Sequence, residues 1–358
     1  MKVIHGGDIY RNRVIHDFSV NINPLGIPKG VRESLERALD DCEHYPDPLA
    51  EKLRKALAEK DGVKPDQMVF GNGASELIFG ISHALRPGKV VIPVPSFSEY
   101  EVSARAVGAD VVYFQLLRER DFALDERIFS CLTEDVDLLY LANPNNPNGR
   151  LTDKDLLCSI LQFCRERRIR VMLDECFIEL TDAADTAGML SELKSYPNLI
   201  LVRAFTKTYA IPGVRLGYLY CSDPEVVRSL EYHLPAWNLS VFAEAAGVAA
   251  CTETAYVEQA VRLIGQERAL CRQALSDMGF EVFGSDVNFL LFRADGPLDE
   301  LLLKEGILIR SCAGYAGLAP GYFRMAVKLP EENRMLMEAI ARLSANKCIP
   351  QKNERNVK

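Results

Sequence analysis

The chain of 358 residues changes its pattern of apolar and polar positions twice. Over residues 67–221, short runs that are apolar throughout, among them 136–142 and 169–174, alternate with stretches of helical spacing such as 75–85 and 153–167. Such runs are typical of a mostly parallel β-sheet that is covered by helices on both faces. This part of the chain therefore predicts an α/β fold.

The segments on either side carry other patterns. Residues 1–26 have little periodicity and several turn-forming residues, which predicts an ordered arm, and helical spacing follows at 28–42 and 47–60. A long helical stretch over 239–278, with a break near 253–255, precedes a second, smaller set of α/β segments. We therefore predict an arm over 1–26, a large domain over 27–250, a small C-terminal domain over 251–348 to which the N-terminal segment contributes, and a flexible polar tail over 349–358.

Composition and charge narrow the class of protein. A hydrophobic content of 48% and a charged content of 26% are those of an ordinary globular enzyme or binding protein. The net charge of −8 leaves no excess of cations for a standing nucleic-acid partner. No apolar run is long enough for a membrane span, and the first residues lack a signal-peptide pattern, so we expect a cytoplasmic protein.

The ten cysteines raise the question of metal or disulfide chemistry. None forms a CxxC pair, and most lie within apolar segments such as 156–164. Scattered thiols of this kind are typical of a reducing compartment. We expect free cysteines and no metal site.

The residues most suggestive of chemistry follow the apolar run 198–203. A short polar turn there presents Lys207, and Arg215 follows eight residues later. A lysine on a loop just past a buried strand can form a Schiff base with a carbonyl cofactor, and an arginine can bind an anion. Taken alone, this lysine is more simply explained as a solvated surface residue.

Three further segments follow predicted strands, and in an open α/β sheet such ends lie at one edge, where ligands bind. In GNGASELI (71–78), the N–H groups of Ala74 and Ser75 could hold a phosphate at a helix start, or the segment could be a capped turn. NPNNPNG (143–149) could present an asparagine amide or could be a tight turn only. Asp174 could hold a proton on a heterocyclic nitrogen or cap the next segment.

Taken in order, GNGASE, NPNNPNG, the pair DE at 174–175 and TKTYAIPGVRLGY resemble a known family over nearly the whole chain. It is the class I/II aminotransferase group of fold-type I, pyridoxal phosphate-dependent enzymes. The resemblance implies the aspartate aminotransferase-like fold, with a mostly parallel seven-stranded sheet in the large domain and a small α/β C-terminal domain. It also implies pyridoxal 5'-phosphate as the cofactor and a homodimer as the active unit.

The resemblance further implies roles for individual residues. Lys207 would bond the cofactor, Asp174 would pair with its pyridine nitrogen, and Asn146 would bind its 3-oxygen. Phe97 would stack on the ring. The expected phosphate-binding residues are Ala74, Ser75, Thr206, Arg215 and, from the neighbouring subunit, Tyr45. The expected substrate-binding residues are His5, Gly6, Gly7, Asn23, Arg310 and Arg324.

Within the family, two kinds of activity stay open. Segments 5–10, 17–26, 95–101 and 235–240 resemble the L-threonine-O-3-phosphate decarboxylases, which make (R)-1-amino-2-propanol O-2-phosphate for cobalamin biosynthesis. Phe177 favours the same interpretation, since many aminotransferases have a tyrosine there. The alternative is an aminotransferase, such as one that acts on histidinol phosphate with 2-oxoglutarate. A non-catalytic relative would be expected to lack the lysine or to carry an added module.

The resemblance also implies that the two late arginines, Arg310 and Arg324, bind the substrate anions, whereas without it each is more simply explained as a surface arginine. A substrate with both a carboxylate and a phosphate calls for two guanidinium groups, which can bind oxyanions in bidentate fashion. Three positions depart from the family pattern. Ala204 stands where a serine or threonine is usual, and Ser311 and Gly314 replace more polar residues after Arg310.

Overall fold

The computed structural model describes residues 6–345. The strands of this part of the chain are β1 His16–Asp17, β2 Met68–Gly71, β3 Lys89–Val94, β4 Asp110–Gln115, β5 Leu138–Ala142, β6 Arg170–Asp174, β7 Leu199–Ala204, β8 Gly217–Cys221, β9 Glu281–Val282, β10 Phe289–Arg293, β11 Ile307–Leu308, β12 Arg310–Ser311 and β13 Tyr322–Ala326. The α-helices are α1 Lys29–Arg37, α2 Glu51–Asp61, α3 Ala74–Leu85, α4 Glu99–Ala106, α5 Lys154–Glu166, α6 Ala184–Ala187, α7 Phe205–Thr208, α8 Pro224–His233, α9 Val241–Ala250, α10 Thr254–Asp277, α11 Leu298–Lys304 and α12 Pro330–Ala345.

The largest sheet has seven strands in the order β2-β8-β7-β6-β5-β3-β4. Its paired strands are parallel except that β8 is antiparallel to β2 and β7. Strands β7 and β8 are buried at every position, because helices cover both faces of the sheet. The predicted α/β class and the mostly parallel seven-stranded sheet are confirmed.

The register of this sheet brings the predicted site segments to one edge. Ala142 pairs with Asp174, and Asp174 pairs with Val202. Ala204, at the end of β7, pairs with Gly217, at the beginning of the antiparallel β8. The loops that carry Lys207 and its expected partners therefore begin close together, at the same edge of the sheet.

A second, four-stranded antiparallel sheet has the order β12-β13-β10-β9. It packs with α10, α11 and α12 around an apolar core of its own, which includes Leu290, Phe292 and Leu336. The sequence pattern had predicted this smaller α/β unit. The residue boundaries proposed for the two domains stay a prediction.

The N-terminal arm is more regular than its sequence pattern indicates. Strand β1 pairs in parallel with β11, and Phe18 is buried in the core of the smaller unit. The N–H of Phe18 donates to the Leu308 carbonyl at 2.7 Å, and its carbonyl accepts from the Ala326 N–H at 2.8 Å. The arm is thus hydrogen-bonded to β11 on one side and to β13 of the second sheet on the other.

The helical pattern was predicted in part. Helices α9 and α10 are separated at 251–253, which confirms the predicted break. The segment predicted as a helix over 28–42 is α1 followed by a 3-10 helix at Ala38–Asp41. Helix α8 was missed, although Asp223 caps it by accepting from the Glu225 N–H.

The structure of residues 6–345 bears on three other predictions, which concern membrane spans, cysteines and metal sites. In this range, no helix combines the length and apolar character that crossing a bilayer requires. The nine cysteines of this range are free, and five of them are buried. The same range holds no cluster of side chains suited to a metal ion. Cys348 and the predicted tail lie outside the described residues.

Candidate active site

A cavity of about 340 Å³ opens at the edge of the large sheet where the predicted segments end. Its walls come from both sheets and from the arm. The predicted residues that line it are Gly6, Ala74, Ser75, Phe97, Asn146, Asp174, Thr206, Lys207, Arg215, Arg310 and Arg324. The fold thus gathers side chains from almost the full length of the chain around one space.

One end of the cavity is the start of helix α3. Gly73 has a φ of +79°, and a Cβ added there would lie 2.1 Å from Nη2 of Arg215. A Cβ on Gly217 would lie 2.5 Å from the backbone nitrogen of Ala74. Only glycine at both positions lets the Arg215 guanidinium lie across the helix start, where unpaired N–H groups and the helix dipole favour an anion.

Carbonyl groups hold that guanidinium in place. Arg215 donates to the Pro212 carbonyl at 3.0 Å through Nη1 and to the Asn72 carbonyl at 3.3 Å through Nη2. The nearby loop is fixed by Glu76, whose carboxylate accepts from the Asn72 N–H at 2.7 Å. The helix start and the arginine therefore form one preorganised cationic corner of the cavity.

Loop 143–149 contributes one amide to the cavity and uses its other amides for its own structure. Asn143 donates to the Ala187 carbonyl at 3.1 Å, and Asn145 and Asn148 are bonded to each other at 2.8 Å. Asn148 also donates to the Phe122 carbonyl at 2.8 Å. Because these contacts fix the turn, Asn146 is left facing the cavity.

Asp174 has a partner that the sequence analysis missed. The hydroxyl of the buried Tyr100 donates to Oδ2 of Asp174 at 2.7 Å, and the N–H of Cys176 donates to Oδ1 at 2.8 Å. Burial, and then the Asp174 charge, raise the pKa of Tyr100, so the tyrosine keeps the proton that it donates. The carboxylate is therefore fixed at both oxygens.

Lys207 lies on the single helical turn α7, where the sequence analysis had expected a polar turn. Its backbone carbonyl accepts from the Asn23 N–H at 3.0 Å. Its side chain reaches the cavity, where burial, followed by the charge of Arg324, lowers the pKa of the amine to about 8. A lysine of this kind can exchange its proton near neutral pH and can act as a nucleophile.

The second sheet supplies two guanidinium groups to the cavity lining. Arg310 on β12 and Arg324 on β13 are paired residues of neighbouring strands. Arg324 is buried and donates to Oδ1 of Asn146 at 2.5 Å and to the Ser19 carbonyl at 2.8 Å, while its Nε has no partner within the described residues. Arg310 lies over the ring of Tyr315 at 5.6 Å. The positive charges of these two side chains favour the binding of anions in this part of the cavity.

Asn23, which was expected to bind the substrate, does not belong to the cavity lining. Its amide nitrogen donates to the Thr208 carbonyl at 2.8 Å, next to Lys207, and its oxygen accepts from the Leu25 N–H at 3.0 Å within the arm. Both ends of the side chain are therefore used in structural contacts. Asn21, two residues earlier, lines the cavity instead, and its buried Oδ1 has no partner within residues 6–345.

Two other expected residues, Gly7 and Tyr45, do not belong to the cavity lining. A Cβ on Gly7 would lie 3.0 Å from Cγ1 of Val20. Tyr45 is 80% exposed and its ring centroid lies 4.8 Å from that of Trp237. His5 lies outside the described residues.

A buried ion pair supports the same sheet edge and was also missed. Arg203 on β7 donates to Glu175 at 2.7 Å, and Glu175 in turn accepts from the Met189 N–H at 2.7 Å. Coulombic attraction to Glu175 and its neighbours outweighs burial and raises the pKa of Arg203. A charged residue inside an apolar strand, and the acidic residue after Asp174, were the signals available in the sequence.

The departures from the family pattern fall mostly at the margin of the site. Ala204 ends β7, and neither it nor Ser311 nor Gly314 belongs to the cavity lining. Phe177 does line the cavity, with its ring packed edge-on against Phe289 at 5.2 Å between centroids. At this position the wall is apolar.

The fold and this arrangement define a fold-type I, pyridoxal phosphate-dependent enzyme. The family described as aminotransferase class I and II matches residues 13–340, and the chain belongs to that family. It is 35% identical over 348 residues to the threonine-phosphate decarboxylase of Salmonella typhimurium, covering 94% of this chain and 95% of that protein.

Two further relatives give different names. The chain is 31% identical over 359 residues to an adenosylcobalamin biosynthesis bifunctional protein of Leptospira interrogans, covering 95% of this chain and 41% of that protein. The solved structure of the histidinol-phosphate aminotransferase of Clostridium acetobutylicum superposes with a TM-score of 0.87 at 33% identity, covering 93% of this chain and 100% of that one. The family thus includes both activities left open above.

Proposed function

We propose that this chain catalyses the pyridoxal phosphate-dependent decarboxylation of an O-phosphorylated hydroxyamino acid, L-threonine O-3-phosphate or its L-serine analogue. The observation that carries the proposal is the placing of Arg310 and Arg324 on the cavity wall around Lys207. The likeness to a threonine-phosphate decarboxylase supports it, and the likeness to a cobalamin-biosynthesis protein supports a role in making that coenzyme.

The donor set of the cavity fits pyridoxal 5'-phosphate. A phosphate fits the cationic corner at the start of α3, which the two glycines keep open. A protonated pyridine nitrogen fits the fixed carboxylate of Asp174, and an aldehyde fits a buried amine of lowered pKa. The residues that we propose to hold the cofactor are Ala74, Ser75, Phe97, Asn146, Asp174, Thr206, Lys207 and Arg215.

The reaction needs a sink for electrons and a proton donor. When bound, pyridoxal phosphate supplies the sink for the electron pair released when a bond to the substrate Cα breaks. Nζ of Lys207 delivers the proton that Cα requires after CO2 has left, and its lowered pKa suits that transfer near neutral pH. Asp174, bonded by Tyr100, holds the proton on the ring nitrogen.

The arginines select the substrate and orient it. A substrate with one carboxylate and one phosphate presents two anions, and each guanidinium can bind one of them in bidentate fashion. By holding both ends of the substrate, the two arginines would restrict how its Cα is presented to the cofactor and thereby which bond to Cα breaks. Gly6 and Asn21 also line this cavity, and Oδ1 of Asn21 has no partner among the described residues.

The test is to load the protein with pyridoxal phosphate and follow CO2 release from L-threonine O-3-phosphate and from L-serine O-phosphate. We expect CO2 and one equivalent of the amine product from one or both. A Lys207→Ala variant should release none, because it lacks the amine that holds the cofactor and protonates Cα. Absence of CO2 from the wild-type protein with both substrates would reject the proposal.

A second candidate is transamination, which the likeness to a histidinol-phosphate aminotransferase favours. The same lysine could then remove a proton from Cα instead of adding one. Incubation with histidinol phosphate and 2-oxoglutarate would then give glutamate. Glutamate formation without CO2 release would replace the first candidate by the second.

We also propose that the working unit is a homodimer to which Tyr45 contributes. The rings of Tyr45 and Trp237 contact each other in a tilted arrangement, and these residues are 80% and 50% exposed. Exposed aromatic pairs are typical of interfaces. Light scattering of the purified protein should give twice the chain mass, and a Tyr45→Ala variant should bind the cofactor more weakly.

A further inference from the structure

We propose that Ser19, held by Asp17, is a positioning residue that sets the Arg324 guanidinium for binding the substrate anion. The inference rests on the proposed function only in taking the substrate to be an anion of the class named above. Neither residue was singled out by the sequence analysis. Asp17 lies on β1, outside the cavity lining, whereas Ser19 is 1% exposed and forms part of the wall.

The arm is anchored beside Arg324. Phe18 is hydrogen-bonded on one side to Leu308 and on the other to Ala326, two residues beyond Arg324 on β13. These bonds hold the arm in register with the strand that carries the arginine. The carbonyl of the next residue, Ser19, then accepts from Nη2 of Arg324 at 2.8 Å.

Asp17 restrains the residue that carries this carbonyl. Oδ1 of Asp17 accepts from both the N–H of Ser19 at 2.8 Å and the Ser19 hydroxyl at 2.6 Å. A side-chain oxygen that bonds the backbone two residues on closes a tight local turn. The turn fixes the peptide between Phe18 and Ser19 and also the Ser19 side chain. Asp17 therefore restrains the residue whose carbonyl, in the following peptide unit, accepts from the arginine.

The Ser19 hydroxyl also holds the part of the arm that enters the cavity. It accepts from the Gly7 N–H at 2.7 Å while it donates to Asp17. A Cβ on Gly6 would lie 2.5 Å from the Ser19 carbonyl oxygen, so the Gly6 backbone packs directly against that group. Ser19 therefore links the guanidinium to the backbone of the arm that lines the same cavity.

The contact with the Ser19 carbonyl determines the orientation of the Arg324 guanidinium, because its other contacts are few. Nη1 bonds Asn146 at 2.5 Å and Tyr315 at 3.4 Å, and Nε has no partner among the described residues. Nη2 thus depends on Ser19 alone within the described structure. If the Ser19 carbonyl turns away, the Arg324 guanidinium can rotate about its contact with Asn146. The guanidinium would then no longer present two N–H groups to the anion of the substrate.

The experiment compares four variants of the cofactor-loaded protein. Asp17→Ala and Ser19→Ala should raise KM for L-threonine O-3-phosphate about tenfold, with kcat changed less than about twofold, since a charge-assisted hydrogen bond is loosened but the chemistry is intact. Asp17→Asn keeps an oxygen acceptor and should restore KM to within about twofold of wild type. Ser34→Ala, which removes a buried hydroxyl bonded to the Val31 carbonyl in α1, should leave KM unchanged.

A second readout is independent of turnover. Calorimetry with 4-phosphonobutyrate, which has the two anions but no amine, should show the same tenfold weakening in Asp17→Ala and Ser19→Ala and unchanged cofactor absorbance. The inference is overturned if both variants keep the wild-type KM and the wild-type Kd for this compound, or if Asp17→Asn is as impaired as Asp17→Ala. Weakened binding of the compound in a protein that releases no CO2 would sustain the positioning role and reject the proposed function.

Discussion

Arg310 and Arg324 occupy directly opposed positions on the antiparallel strands β12 and β13. Directly opposed residues have their side chains on the same face of a sheet, and like charges in such a pair are destabilising. Both side chains also face one cavity. The protein therefore keeps an electrostatically unfavourable pair that a bound dianion can neutralise, which is the expected design of a site for a carboxylate-and-phosphate substrate.

The first prediction separates the contribution of this arginine pair to substrate binding from the effect of its charge repulsion on stability. Arg310→Gln should weaken substrate binding about 30-fold, or about 2 kcal/mol for a lost charge-assisted contact. The same change should raise the free energy of unfolding by a few tenths of a kcal/mol, because the opposed like charge is gone. Steady-state KM and thermal unfolding measure the two. The control is Arg334→Gln, on the exposed face of α12, which should change neither KM nor the stability. A loss of stability in Arg310→Gln would contradict the proposed repulsion between Arg310 and Arg324.

The lowered pKa of Lys207 predicts a pH dependence of cofactor attachment. Only the deprotonated amine can attack the aldehyde, so the attachment rate follows the deprotonated fraction. With the pKa lowered from its usual 10.5 to about 8, the rate should rise through pH 8 and level off before pH 10. After burial, Arg324 is the largest cause of the lowering, so Arg324→Gln should move the midpoint to higher pH. A wild-type rate that still climbs at pH 10 would contradict the prediction.

The sequence predicted the strand ends well because β5, β6 and β7 are long apolar runs, each followed by a distinct polar segment. It missed β1, since two residues are too short to show any periodicity, and it missed the helical turn α7 for the same reason. Helix α8 could have been found, because Asp223 and Pro224 form a regular helix start.

The site residues that were missed depend on packing between distant segments. Tyr100, on α4, meets Asp174, at the end of β6, across 74 positions of the chain, and no local pattern reports that placement. Asn21 and Asn23 are two residues apart in one irregular segment, so the choice between them depended on where the arm turns toward the Lys207 loop. Composition and spacing were informative about the chemistry, and the three-dimensional contacts were needed to assign it.

The contact between Tyr100 and Asp174 predicts a specific effect on the cofactor. Tyr100→Phe removes the donor to Oδ2 and leaves the carboxylate freer to turn, so cofactor affinity should fall about tenfold. Tyr140→Phe is a matched control, since Tyr140 is also fully buried and bonds Ser82 at 2.7 Å without touching Asp174. Both variants should lose about 1 kcal/mol of stability. Equal cofactor affinities in the two, measured by fluorescence titration, would exclude a positioning role for Tyr100.

Gly73 predicts a steric effect on the cationic corner. A Gly73→Ala Cβ would lie 2.1 Å from Arg215, so the arginine must leave the helix start and affinity for the cofactor should fall at least tenfold. Gly62→Ala also has a positive φ, of +66°, but in the left-handed α region, and its Cβ would meet nothing within 4 Å. Gly62→Ala should cost about 1–2 kcal/mol of stability, and Gly73→Ala should cost more, because a φ of +79° with a ψ of 165° is adopted essentially by glycine alone. Cofactor titration that finds the two variants alike would show that Arg215 does not depend on this space.

The two asparagines of the arm predict opposite consequences for stability and for substrate binding. Asn23→Ala leaves the Thr208 carbonyl and the Leu25 N–H without a partner, which should lower the free energy of unfolding by about 2 kcal/mol and disturb the loop of Lys207. Asn21→Ala removes an oxygen that has no partner in the described structure, so stability should hold or rise slightly while KM for the phosphorylated substrate increases several-fold. Urea unfolding and steady-state kinetics on both variants separate the outcomes. If Asn23→Ala raises KM with unchanged stability, the original assignment of Asn23 to the substrate is right after all.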